Sequence, residues 1–292
     1  VKWRPKKMFS WNRLKSLLSF GWKMLVSSLL DTVYNNIRSL IIGKMYSSAD
    51  LAYYNQGKQF PHTIVNNINS SIDSVLLPSM SSAQDDRTRV KSMTRRSIKT
   101  STYIMAPMMM GLAFCAEPIV QLVLTDKWLP CVPFLRIFCI TYMFYPIHTA
   151  NLNAIKAMGR SDYFLKLEIA KKAVGMTLLI STMWFGVMAM AYSLLFGTLF
   201  GMIINSWPNK KLLNYSYFEQ MKDILSGIAI AFVMGCCVKV VELLHVSAAA
   251  TLMIQIPLGA VIYVGASAFF HLESFEYLIE MVKSVLRKKE KK

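Results

Sequence analysis

Long apolar segments recur along the chain, and they restrict its possible folds more than any other feature. About eight of them approach the length of ~20 residues that a helix needs to cross a bilayer. They fall at roughly 17–43, 60–80, 98–118, 132–154, 167–185, 187–206, 223–243 and 247–270. None alternates polar and apolar residues with period two, which disfavours barrel strands. The sequence therefore predicts an all-α, polytopic integral membrane helix bundle of about eight transmembrane helices.

Composition agrees with a lipid-exposed exterior. Hydrophobic residues make up 54% of the 292 positions and charged residues only 17%, too few to cover a soluble domain of this size. The net charge of +17 comes from basic clusters in every second connection and at both ends. The alternate connections, 118–131 and 185–187, are poor in Lys and Arg. This is the positive-inside pattern with both termini cytoplasmic, so we expect no nucleic-acid partner.

The pattern divides the chain into four parts. Residues 1–16 are basic and polar, without an initial Met or a recognisable signal peptide, so we expect a linker from an earlier part of a longer protein. Residues 17–206 hold six predicted spans, and 207–270 hold an additional pair. Residues 271–292 form an acidic-then-basic amphipathic tail that suits the cytoplasmic lipid surface.

Polar side chains form a stripe along each of the first two predicted spans. The first stripe consists of Lys23, Ser27, Asp31, Asn35 and Arg38. The second consists of Gln59, His62, Asn66, Asn69 and Asp73. Spacings of three and four residues place each set on one helix face. Because the opposite faces are apolar, each stripe requires water or protein beside it.

The charges in these stripes favour a wet cavity. An ionisable group at the bilayer centre costs ~3 kcal/mol or more and usually faces an aqueous space or a partner. Asp31 and Arg38 lie two turns apart, about 10 Å along the helix axis, so each needs a partner elsewhere, with Asp73 and His62 as candidates. A polar network that only holds the helices together is the alternative. The length of the stripes favours the cavity, whereas Lys58 is interpreted as a charge at the outer rim.

The sequence contains none of the common catalytic motifs. HExxH, CxxC, GxSxG and Walker patterns are absent, and the four histidines are scattered. We therefore predict no catalytic residues, no metal site and no cofactor. His148 is interpreted as a hydrogen-bonded core histidine, and the five cysteines are interpreted as packing residues.

Several segments together resemble a known family. They are "SFGWKMLVSSLLDTVYNNIRSLIIGK", "YYNQGKQFPHTIVNNINSSIDSVLLPSMS", "RRSIKTS", "EPIVQLVLTDKWLPCVPFLRIFC", "YPIHTANLNAIKAMGRSDYFLKLEI" and "PNKKLLNYSY". Between about Phe9 and Tyr217 the sequence resembles the bacterial polysaccharide transporter family, the O-antigen and exopolysaccharide flippases of the multidrug/oligosaccharidyl-lipid/polysaccharide exporter superfamily. Such proteins have two six-helix lobes around a central cavity, sometimes with two further helices. The resemblance implies that this chain is the second lobe plus the additional pair, with an N-terminal lobe as its missing partner.

The resemblance also implies a function. It would be the transfer of an undecaprenyl-pyrophosphate-linked oligosaccharide across the bacterial inner membrane by alternating access, coupled to a proton or sodium gradient. Arg38, with Lys23 second, would bind the diphosphate or an acidic sugar. Sugars or cavity water would contact Asn35, Gln59, His62, Asn66 and Asn69. Asp31 and Asp73 are the candidates for the coupling ion.

Three alternatives remain open. A drug or metabolite exporter of the same superfamily would share the stripes but favour acidic cavity residues for cationic drugs. A glycan-assembly membrane enzyme, such as a polymerase or acyltransferase, would need a sizeable outer loop with catalytic Arg or His, and the longest outer connections, around 44–59 and 118–131, are short. A lobe that only scaffolds other proteins would have no solvent access to its stripe.

Overall fold

The computed structural model describes residues 10–11, 14–15, 29, 32–34, 36–244 and 246–290, and only the backbone at 161–162, 165, 282 and 284–290. The described residues form helices and turns without strands, which confirms the all-α prediction. The described part of the first helix, α1, covers 32–34 and 36–45. The helices that follow are α2 Ser48–Ser81, α3 Arg87–Phe114, α4 Ala116–Leu124, α5 Val132–Met143, α6 Tyr145–Ala157, α7 Ser161–Thr182, α8 Val187–Leu213, α9 Tyr217–Val240, α10 Ala248–Phe269 and α11 Glu273–Glu290.

Several of these helices are long and apolar enough to cross a bilayer. Within the described residues they are Asp126–Ala157, Val187–Leu213, Tyr217–Leu244 and Ala248–Phe269, with α3 and α4 as a fifth if that bent pair forms one span. The predicted spans at 60–80 and 167–185 coincide with α2 and α7, which have 34 and 22 residues. Both helices are more polar, because α2 carries the second stripe and α7 carries several charges. Most of the predicted span at 17–43 lies outside the described residues.

Local sequence signals explain where helices begin and bend. A capping box starts α2, because Ser47 and Asp50 satisfy each other's backbone N–H groups. Ser216 and Glu219 start α9 in the same way. The axes of α3 and α4 differ by 71°. The helix is broken at Phe144, between α5 and α6, two residues before Pro146.

The close approach of α2 to α5 determines where the second polar stripe lies. Gly57 is the contact point: a Cβ atom there would lie 2.7 Å from Phe134 Cβ, 2.8 Å from Leu135 N and 2.9 Å from the Cys131 carbonyl oxygen. Tyr54, one turn earlier, is 1% exposed. Because glycine lets the two backbones meet, one edge of the stripe on α2 turns inward beside α5 and α6.

A buried amide network joins α9 to the preceding helices. Asn151 on α6 donates to Gln220 on α9 at 2.8 Å, and Gln220 donates back to Asn151 Oδ1 at 3.1 Å. Ser206 and Asn209 on α8 add bonds of 3.0 and 2.6 Å to the same pair. All four residues are 0% exposed. The network therefore joins the predicted six-span part, residues 17–206, to the predicted additional pair, residues 207–270. The division between these parts stays a prediction.

Candidate binding cavity

A cavity of about 620 Å³ lies between α1, α2, α5, α6, α7 and α8. This volume is in the range of small-molecule binding sites, roughly 300–1,000 Å³. Its polar and aromatic lining includes Tyr34, Asn36, Arg38, Tyr54, Lys58, His62, Tyr142, Tyr145, His148 and Lys171. The lobe thus borders a partly open space whose wall carries several basic and hydroxyl groups.

Among the described residues, three cations line this cavity, from three different helices. Arg38 donates from Nη2 to the Ser193 hydroxyl at 3.3 Å, and its buried Nε has no hydrogen-bond partner among the described residues. Lys171 is paired with Glu168 at 2.5 Å. Within the described residues no carboxylate lies within 4.0 Å of Arg38 or Lys58. An uncompensated charge in a poorly solvated site is costly, so this arrangement favours an anionic occupant.

A continuous series of aromatic rings runs along one side of the cavity, and all of its members except Phe138 line it. Ring centroids are 5.1 Å apart for Tyr54 and Phe138, 6.2 Å for Phe138 and Tyr142, and 4.8 Å for Tyr142 and Tyr145. The series continues to His148 at 5.9 Å from Tyr145. Rings held in this way offer an apolar face with a polar edge, a surface suited to the alternating C–H and O–H groups of a sugar.

His148 is positioned by hydrogen bonding and by a glycine. Its Nδ1 lies 2.8 Å from Asn205 Nδ2, so a donating amide leaves the proton of the neutral ring on Nε2. A Cβ at Gly201 would lie 3.2 Å from His148 Cε1 and 3.7 Å from Lys171 Cδ. The structure thus agrees with a hydrogen-bonded His148 and also places it in the cavity wall.

The structure separates the site residues predicted from the sequence. Arg38 and His62 line the cavity. Gln59, Asn66 and Asn69 do not line it, and Asn66 lies beside the His62 ring, 3.2 Å from Nδ1.

Of the other predicted site residues, only Asp73 lies within the described part of the chain. Asp73 also lies outside the cavity lining, and it accepts a hydrogen bond of 2.6 Å from Asn153 on α6. Lys23, Asp31 and Asn35 lie outside the described residues. The roles assigned to all nine residues stay predictions.

Sequence reasoning missed two cavity cations. Lys58 lines the cavity together with Arg38, a position that its interpretation as an outer-rim charge did not include. Its position four residues before His62 places it on the second stripe, and this spacing was the available signal. No local sequence pattern distinguishes Lys171, because α7 becomes part of the cavity wall only through its packing on α8.

Comparisons with known proteins point in one direction. A family model described as "Polysaccharide biosynthesis protein" matches residues 1–133. An uncharacterized membrane protein in the cps region of Klebsiella pneumoniae is 24% identical over 232 residues, 79% of this chain. The lipopolysaccharide biosynthesis protein WzxC of Escherichia coli is 23% identical over 225 residues, 77% of this chain. The predicted resemblance to the polysaccharide transporter family is confirmed.

The fold also matches a solved structure. The lipid II flippase MurJ, in an inward closed conformation, aligns over 91% of this chain with a TM-score of 0.70 at 18% identity, a likeness of fold alone. The chain spans about half of these proteins: 45% of the Klebsiella relative, 44% of WzxC and 57% of MurJ. With its apolar helices, the chain is a multi-pass membrane protein of the MurJ-like fold.

Proposed function

We propose that the full-length protein moves an undecaprenyl-pyrophosphate-linked oligosaccharide, such as an O-antigen or exopolysaccharide repeat unit, across the bacterial inner membrane. The observation that carries this proposal is the cavity in which Arg38 and Lys58 have no carboxylate partner among the described residues. A lipid-linked glycan brings both a diphosphate and hydroxyl-rich sugars. The names of WzxC and MurJ support the same substrate class.

The cavity residues have complementary chemical roles in this proposal. The guanidinium of Arg38 can bind two oxygens of one phosphate or carboxylate at once, and Lys58 adds a mobile point charge. The tyrosines of the aromatic series offer ring faces and hydroxyl groups to sugars. A negative headgroup would thereby neutralise two cations that otherwise repel each other across the cavity.

The remaining features of the proposal concern the whole protein. Basic connections would face the cytoplasm, with both ends of this chain on that side. An N-terminal lobe would complete the central pathway, and the two lobes would alternate access between leaflets. Asp31 and Asp73 remain the candidates for a coupling proton or sodium ion. For Asp73, the bond from Asn153 offers a contact that ion binding would alter.

The decisive experiment is export of surface glycan by cells whose only copy of the full-length protein carries Arg38→Ala. We expect export to fall at least tenfold at unchanged membrane abundance, with partial recovery in Arg38→Lys. Lys44→Ala is the matched control, because Lys44 is an exposed cation on the same helix that does not line the cavity. Normal export in Arg38→Ala, or an equal loss in Lys44→Ala, would remove the cavity from the mechanism.

A drug exporter remains the second candidate, and the cavity charge disfavours it. Uncompensated cations repel the cationic dyes that such exporters carry. In proteoliposomes, we expect transport of lipid-linked glycan without transport of a cationic dye. The reverse selectivity would replace the flippase proposal with the exporter.

A further inference from the structure

A second cavity, of about 520 Å³, lies where α3, α9 and the turn into α11 meet. We name it the α3–α9 pocket. Its lining includes Lys91, Arg95 and Lys99 of α3, Lys222 of α9 and His271 of the turn. The three α3 residues repeat every four positions and share one face of that helix. None of these five residues lines the larger cavity, so the α3–α9 pocket is a separate concentration of positive charge.

Most of the acidic groups in the pocket already have partners. Asp223 accepts two hydrogen bonds from Arg95, at 2.8 and 2.7 Å, and one from the Tyr215 hydroxyl at 2.8 Å. Glu273 pairs with Lys99. Glu219 accepts from the Ser216 backbone N–H at 2.7 Å as part of the α9 cap. The carboxylates therefore hold Arg95 and Lys99 in place and contribute little free negative charge.

Two lysines of the pocket keep spare donor capacity. Lys91 donates to the Asn214 carbonyl oxygen and lies 5.9 Å from the centroid of the Tyr215 ring. An ammonium group has three donors, so Lys91 can still bind a ligand. Lys222 is exposed and makes no hydrogen bond or ion pair with any other described residue. Four cations face three carboxylates in this pocket, so it retains positive charge for an anion.

The surroundings of the pocket are amphiphilic. Its remaining lining includes apolar and aromatic groups from Tyr103, Ile224, Gly227 and Leu272. Several residues next to the lining in the chain expose large apolar side chains, namely Phe218 (81%), Leu225 (65%), Phe269 (78%) and Phe270 (64%). Basic groups and apolar lining residues lie together in this pocket, and neighbouring chain positions expose further apolar side chains. This combination suits a phospholipid, whose charged headgroup and acyl chains must be accommodated side by side, better than it suits a small soluble anion.

We propose that the α3–α9 pocket binds the headgroup phosphate of an anionic membrane phospholipid, with Lys91 and Lys222 as its main ligands and the acyl chains along the exposed apolar side chains. Basic pockets between membrane helices near the cytoplasmic surface suit such headgroups. The pocket volume lies in the range of roughly 300–1,000 Å³ that is usual for ligand sites. The site is independent of the glycan cavity, so either proposal can fail alone.

The test measures retention of phosphatidylglycerol by the full-length protein in phosphatidylcholine nanodiscs, by native mass spectrometry. The double variant Lys91→Gln/Lys222→Gln should weaken retention about tenfold. Lys210→Gln/Lys211→Gln removes the same charge from exposed positions of α8 outside the pocket and should leave retention nearly unchanged. Equal losses in both variants would mean diffuse surface attraction and overturn the proposal.

Two further measurements distinguish lipid bound in the pocket from lipid bound elsewhere and from a free anion. Ser226→Trp adds bulk to the pocket lining while keeping every charge, so it should weaken retention as strongly as the double lysine variant. Unchanged retention in Ser226→Trp would show that the lipid binds elsewhere. Millimolar inorganic phosphate should not displace the lipid, because it lacks acyl chains. Full displacement would identify a site for free anions and overturn the assignment to phospholipid.

Discussion

Arg38 on α1 donates a hydrogen bond to the hydroxyl oxygen of Ser193 on α8, with 3.3 Å between Nη2 and Oγ. The same hydroxyl donates its own proton to the Met190 carbonyl oxygen at 2.8 Å. Ser193 is 1% exposed, so its lone pairs have a fixed direction. The guanidinium is therefore oriented by a buried acceptor that lies 155 positions along the chain. This acceptor is a neutral hydroxyl, so it leaves the positive charge of Arg38 unneutralised.

Ser193→Ala should weaken the action of Arg38 without removing its charge. A single hydrogen bond contributes about 1 kcal/mol, which corresponds to roughly fivefold weaker binding of lipid-linked glycan, with membrane abundance unchanged. The loss of affinity can be measured as retention of lipid-linked glycan by the purified full-length protein. Ser181→Ala is the control, because the only hydrogen bond of that exposed hydroxyl within the described part of the chain goes to the Thr177 carbonyl oxygen on the same helix. Equal binding by the Ser193 variant and the unmodified protein would contradict an orienting role.

Gly57→Ala should destabilise the lobe by separating α2 from α5. The added methyl group would meet atoms near 2.8 Å that include the Leu135 backbone nitrogen, and backbone cannot move away as a flexible side chain can. Overpacking of this kind costs ~1–3 kcal/mol, so the unfolding temperature in detergent should fall by several degrees. Gly265→Ala is the matched control, because a Cβ there meets nothing within 4 Å. Equal melting temperatures for both variants would show that α2 and α5 adjust freely.

Gln220→Leu should loosen α9 from the rest of the lobe. The change removes both bonds between Gln220 and Asn151. The Asn151 amide keeps its bonds with the Ile147 carbonyl oxygen and with Asn209. Each lost hydrogen bond contributes about 1 kcal/mol, so thermal unfolding should begin earlier. Gln84→Leu, at an exposed turn, should have little effect. If both variants melt like the unmodified protein, the amide network contributes no net stability.

The helices could be predicted from the sequence because apolar length and periodicity are properties of each segment alone. The cavity could be predicted only in part, because it depends on how residues from distant segments pack together. Apolar length and three-to-four periodicity do not depend on neighbouring helices, and they predicted the all-α fold that the structure confirms. Lys58 and Gln59 are adjacent, yet only Lys58 lines the cavity. Their directions differ by about 100° on a helix, and the contact of Gly57 with α5 decides which of them turns inward. The sequence of α2 alone does not show that Gly57 contacts α5.

The amide network shows the same limit at longer range. Asn151 and Gln220 lie 69 positions apart, and a single polar residue in an apolar segment does not identify its partner. The bend of 71° between α3 and α4 was also missed. The segment 98–118 looked continuous because both sides of Cys115 are apolar, so hydropathy gave no reason to divide it.

The contact between Glu273 and Lys99 should make the start of α11 sensitive to acid. The hydrogen bond from Lys99 lowers the pKa of Glu273 below its ordinary value. Because the pKa is lowered, the contact stabilises the folded start of α11 fully at pH values above the ordinary glutamate pKa of about 4.3. This stabilisation is lost as the pH falls through the folded-state pKa. Because the Glu273 side chain is 76% exposed, solvent screening keeps the contribution small, and the effect should be local.

Hydrogen exchange of the first turn of α11 is therefore the appropriate measurement, corrected for the intrinsic pH dependence of amide exchange. Protection should fall in the unmodified protein as the pH drops below the ordinary glutamate pKa of about 4.3. In Glu273→Gln, protection should already be reduced at pH 5 and should change little below it, because the titrating group is gone. Glu280→Gln removes an exposed carboxylate from the same helix and should keep the acid response. An acid response that persists in Glu273→Gln would assign it to another group and leave Lys99 without a part in holding α11 on α3.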